Sequence, residues 1–85
     1  MKPLSLTKDE LFLVSFYEVD LLQSGLEHNR YQIGQKARLS HRAVNAICAL
    51  LIRANFIKKG DEEELIVLTP HGAALAQQLT QGKHP

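Results

Sequence analysis

The chain has 85 residues, a net charge of +1, 45% hydrophobic and 22% charged residues, which suits one small folded domain and argues against a disordered chain. A single cysteine, Cys48, excludes an internal disulfide and fits a reducing compartment. No apolar run reaches the about 18 residues needed to cross a bilayer, and the opening "MKPLSLTKDE" lacks the apolar core of a signal peptide, so the reading is a soluble cytoplasmic protein with no membrane partner.

Residues 7–24, "TKDELFLVSFYEVDLLQS", predict a first helix. Thr7 with Glu10 fits a capping box, in which each side chain satisfies a backbone donor of the other, and Gly25 supplies the stop. This helix is apolar nearly all round, so either its neighbours cover two sides or a second chain covers one. "LEHNR" reads as a loop, and "YQIGQKAR" (31–38) as a short second helix with Ile33 and Ala37 on one face. Ser40 is a good N-cap for a third helix over about 41–54, whose apolar positions Val44, Ile47, Cys48, Leu51 and Ala54 follow the helical period.

Phe56 and Ile57 begin a strand, Lys59-Gly60-Asp61 is a turn signal, and "ELIVLT" (64–69) has the β-branched character of a second strand. Thr69-Pro70 opens a last helix with Thr as N-cap and Pro at its first position; Gly72 is expected to weaken its first turn slightly. That helix runs to about residue 80, and the tail "GKHP" is expected to fray. The predicted fold is mainly α with a small β-hairpin: a three-helix core, a two-stranded wing and a C-terminal helix. This order points to a winged helix-turn-helix occupying residues 1–85 as a single domain.

The charge is strongly segregated. Residues 1–27 carry −3, residues 61–64 ("DEEE") carry −4 and Lys83 adds +1. Residues 28–60 hold Arg30, Lys36, Arg38, Arg42, Arg53, Lys58 and Lys59 without one carboxylate, for +7. Such a block suggests an anion-binding face, most often for nucleic acid.

Within the block, "IGQKARLSHRAVNAI" (33–47) resembles the helix-turn-helix pattern: a small residue at Gly34, a turn position at Arg38, and two aliphatics at Val44 and Ile47 that lock the third helix on the second. Further on, "LIRANFI" and Leu68-Thr69-Pro70-His71-Gly72 resemble the second half of winged-helix regulators of the MarR and PadR kind, so the resemblance covers roughly residues 7–80. It departs at Arg38, where the pattern has a turn glycine, and at Asn55, where a glycine commonly ends the third helix; both imply positive φ. It departs also at the wing tip, where the family often carries Arg or Lys and this chain has four carboxylates that phosphates would repel.

The resemblance implies a third helix entering the major groove by its N-terminal end, as a transcriptional regulator of double-stranded DNA. Its outward residues are then Ser40, His41, Arg42, Asn45, Ala46, Ala49 and Arg53. Arg42 suits guanine, Asn45 suits adenine, and Ala46 a thymine methyl. Arg30, Lys36 and Arg38 are candidate phosphate contacts, joined by Lys58 and Lys59 on the first wing strand. A homodimer would pair two half-sites, and Phe12, Phe16 and Tyr17 of the first helix with Leu75 and Leu79 of the last are the candidate interface. The competing reading is a protein-interaction module that uses the acidic wing or the alanine-rich helix face as its contact surface. His28, His41, His71 and His84 are scattered, with no ligand-like pairing near Cys48. There is no phosphate-binding glycine loop and no nucleophile–base pairing, so neither metal, cofactor nor enzymatic activity is expected.

Overall fold

The structure, a computed structural model, describes residues 6–81; the expected fraying of the "GKHP" tail concerns residues 82–85, outside the described residues. The elements in order are α1 (Lys8–Leu22), β1 (His28–Asn29), α2 (Arg30–Lys36), α3 (His41–Arg53), β2 (Ile57–Lys59), β3 (Leu65–Leu68) and α4 (Pro70–Gln81). The molecule is mainly helical with a small three-stranded antiparallel sheet in the order β1-β3-β2. Among the described residues no helix is long and apolar enough to cross a membrane.

The third strand corrects the expected two-stranded hairpin. The segment read as a loop contains β1, which pairs His28 with Ile66 and Asn29 with Leu65. Two residues carry too little alternation to announce a strand; the pairing exists because Asn29 also caps α2, its side chain accepting from Tyr31 N at 2.8 Å, which delivers the chain to the edge of β3.

Helix α1 opens with the expected capping box: Glu10 N donates to the Thr7 hydroxyl at 3.2 Å and Thr7 N donates to Glu10 Oε1 at 2.9 Å. Five consecutive residues, 12–16, are buried, because α2, α3, α4 and β3 all pack against this helix. Its apolar girth is therefore covered by its own chain over that stretch. Phe12 and Phe16 are 0% exposed and sit in the core with Leu13, Ile33, Val44, Ile57 and Ile66. That overturns their assignment to a dimer interface: residues sealed inside the fold have no surface to offer a partner. Tyr17, Leu75 and Leu79 remain partly accessible, and the fully outward leucines are elsewhere, Leu22 at the end of α1 being 86% exposed with Leu21 and Leu26 beside it.

The turn between α2 and α3 behaves as its residues require. A Cβ on Gly34 would overlap Val44 Cγ2, so only glycine allows the two helices to cross this closely. Leu39 N donates to Gly34 O at 2.8 Å and Ser40 caps α3 by accepting from Ala43 N at 3.1 Å. Arg38 and Asn55 both occupy the left-handed region, at φ 61° and 67°. Asparagine tolerates it; an arginine there costs about 1 kcal/mol. Arg38→Gly is accordingly expected to raise stability by about 0.5–1 kcal/mol, read as a higher urea midpoint with an unchanged slope; a lower midpoint would mean that contacts of the arginine outweigh the strain.

Candidate nucleic-acid interface

Helix α3 sorts its residues cleanly. Val44, Ile47, Cys48 and Leu51 face inward, while His41, Arg42, Asn45, Ala46, Ala49 and Arg53 are exposed, as the helical period dictates. Burial pushes the Cys48 thiol up to about 11, partly offset by the nearby Arg30 guanidinium, so this side chain is an un-ionised core group rather than a reactive one. Leu50, not anticipated on the outward side, is 55% exposed and extends the smooth strip of Ala46 and Ala49.

The N-terminal half of the exposed face is joined to α2 by a side chain to which the sequence alone assigns no role. The Tyr31 ring lies 4.3 Å from the His41 ring, centroid to centroid and tilted by 32°. Its hydroxyl donates to Asn45 Oδ1 at 3.0 Å. Tyr31, Gln32, Gln35, Leu39 and His41 line a shallow groove between the two helices. A signal for Tyr31 does exist in the sequence: with Gln35 at i+4 it marks the face of α2 that does not carry Ile33 and Ala37. It escapes sequence reasoning because its partner lies fourteen residues away, across the turn.

Of the seven cations in the acid-free stretch, six are exposed and one is not. Arg30 is 7% exposed, its Nη2 donating to the Glu63 carbonyl at 2.6 Å while its backbone N–H donates to Glu64 O at 2.9 Å. Its assignment as a phosphate contact is therefore corrected. Arg30 starts α2 directly after β1, and pairing of β1 with β3 turns its side chain under the acidic turn, where it braces the backbone. Among the described residues its Nε meets no hydrogen-bond partner. Lys36 leans the other way, its Nζ 3.7 Å from Glu18 Oε1 of α1, in an exposed pair of small energetic weight. Arg38 projects from the strained turn and Arg53 from the last turn of α3, both exposed. Lys58 and Lys59 are both exposed on the edge strand β2; strand alternation sends adjacent side chains to opposite faces, so they do not act together on one surface.

The turn between β2 and β3 keeps its carboxylates outward at Asp61, Glu62 and Glu63. Gly60 N donates to Leu65 O at 2.8 Å, and Asp61 N donates to Glu27 Oε2 at 2.7 Å. With Arg30 beneath it, this acidic turn is tied down at two points. Among the described residues no cluster of three metal-binding side chains occurs. Comparison of the chain with protein-family models, curated proteins and solved structures returned no match.

Proposed function

We propose that this chain is a winged helix-turn-helix protein, of the kind seen in MarR- and PadR-like regulators, that binds double-stranded DNA through α3 and regulates transcription in the cytoplasm. The observation that carries the reading is the outward face of α3. Arg42 and Asn45, two residue types able to read base edges in the major groove, stand exposed near its N-terminus within a 33-residue stretch lacking any carboxylate. Lys36, Arg38 and Arg53 are the accessible cations around it, suited to phosphate contacts that fix register. The acidic turn, whose Glu63 and Glu64 line a pocket with Tyr31, would repel phosphates and has to stay off the backbone in such a complex. A homodimer reading two half-sites about 34 Å apart fits a recognition face this small, and Tyr17, Leu75 and Leu79, with the exposed Leu21 and Leu22, are the surfaces it would use.

The test is a fluorescence-anisotropy titration against mixed genomic fragments at several salt concentrations, followed by selection of a preferred site. Binding is expected to weaken with salt at a logarithmic slope near −0.9 per phosphate neutralised. Arg42→Ala is expected to cost about 1–3 kcal/mol at the preferred site and to flatten preference at one base pair, while Lys36→Ala weakens all sequences alike. Absence of binding at low salt would favour the second reading, a protein-docking module. Its support is the apolar strip of Ala46, Ala49 and Leu50 and the exposed carboxylates of the turn.

A further inference from the structure

An asparagine that reads adenine must turn both ends of its amide to the base edge, the carbonyl toward the N6 amino group and the NH2 toward N7. In Asn45 the carbonyl end already has a partner within the protein. Its Oδ1 accepts a hydrogen bond from the Tyr31 hydroxyl at 3.0 Å, which turns the carbonyl end toward α2 and occupies one of its two lone pairs, while both NH2 donors of this exposed side chain stay available to a base. Tyr31 is itself fixed. It stands in the first turn of α2, half-buried, with its ring against His41 at a centroid distance of 4.3 Å. The hydroxyl is thus presented to Asn45 from a second helix, with His41 of α3 supporting the ring that carries it.

We propose that Tyr31 is a positioning residue that sets the base preference of Asn45, making it a donor to guanine rather than a bidentate partner of adenine. Guanine offers two acceptors, N7 and O6, on its major-groove edge and no donor there. An amide that shows only its NH2 matches that edge. Adenine places an amino donor where guanine has O6, and the carbonyl that would accept from it is drawn toward Tyr31, which disfavours the bidentate adenine geometry. The inference rests on α3 being the DNA-reading element.

The experiment is selection from randomised duplexes by the full chain, with Tyr31→Phe, Asn45→Ala and the double variant alongside. Phenylalanine keeps the ring against His41 and removes only the hydroxyl. The wild type is expected to enrich guanine at the base pair whose preference vanishes in Asn45→Ala. Tyr31→Phe is expected to move that position toward adenine, changing the adenine-to-guanine ratio by about two- to tenfold, the worth of one hydrogen bond. Affinity for random competitor DNA should stay constant, and Tyr31→Phe should have no effect in the Asn45→Ala background. Three results would overturn the proposal while leaving DNA binding intact: adenine already preferred by the wild type, an unchanged ratio in Tyr31→Phe, or an equal Tyr31→Phe effect without Asn45. No enrichment of any sequence by the wild type, with no binding at low salt, would remove the DNA-reading role of α3 itself.

Discussion

Gly72→Ala is expected to destabilise the fold by about 3 kcal/mol, at the upper end of the range for overpacking. Gly72 lies buried in the first turn of α4, and a Cβ there would fall on the carbonyl oxygen of Phe56 and close to its carbon, with Leu68 Cδ1 3.1 Å away. The obstruction is backbone, and it is held in place. The Phe56 carbonyl accepts from Thr69 N at 3.2 Å, and the Thr69 hydroxyl sits 2.9 Å from it and 2.7 Å from Asn55 O, so its one proton serves these two carbonyls. The same hydroxyl accepts from Gly72 N at 3.0 Å. Thr69 therefore caps α4 and clamps the end of α3 to it through a single buried oxygen, and Gly72 is the residue that lets the helix come close enough. The sign of the effect is the test. In an unconstrained helix, alanine is favoured over glycine by about 1 kcal/mol. A urea midpoint that rises in Gly72→Ala would show that α4 and Phe56 do not approach as described; a fall equivalent to about 3 kcal/mol would support the clamp.

Gly72 marks the boundary of what the sequence makes legible. Signals confined to a few neighbouring residues translated directly: the Thr7–Glu10 box, the Ser40 cap, the Thr69-Pro70 start, and the left-handed backbone at Arg38 and Asn55. The inward set of α3 followed from periodicity alone, since a helix that buries one stripe must repeat it. Apart from Lys58 and Lys59, which simple strand alternation separates, the failures involve residues whose roles are fixed by distant partners. Gly72 looks like a mild helix weakness until Phe56 is placed against it. Arg30 looks like one more surface cation until its hydrogen bond to Glu63, thirty-three residues on, is known. Tyr31 acquires a role only through Asn45. The aromatic residues of α1 belong with them: a helix apolar all round is equally compatible with a central position and with a shared interface, and only the packing of four other elements decides between them.

Phe16→Ala is expected to cost about 3–5 kcal/mol, a large part of the stability of a chain this small, and to leave much of the protein unfolded at 37 °C. Phe16 is fully buried, edge-on to Phe12 at 6.5 Å and to His28 at 5.6 Å between ring centroids. It thereby joins the helix that supports α2 to the strand that leads into it. Truncation would open a cavity beside the Asp20–His28 pair, whose closest atoms are 3.6 Å apart and mostly buried, so collapse around the void would have to move polar groups as well as apolar ones. An interface role predicts something different: a folded monomer, with loss of association that protein concentration reverses. Far-UV circular dichroism with sedimentation at two concentrations separates the two. Loss of helix signal that does not depend on concentration is the outcome a core residue requires, and a folded, dissociated Phe16→Ala would contradict the placement of α1. Leu22→Ser supplies the complementary arm, because at 86% exposure this leucine contributes little to the monomer; its replacement should leave the melting curve of an isolated chain nearly unchanged and lower the mass only where the exposed end of α1 joins two copies. The orientation of α2, and with it the Tyr31 hydroxyl facing α3, depends on α1 remaining a fixed platform; under the proposed DNA-reading role of α3, a Phe16→Ala protein rescued by low temperature is expected to lose sequence preference before affinity for the phosphate backbone.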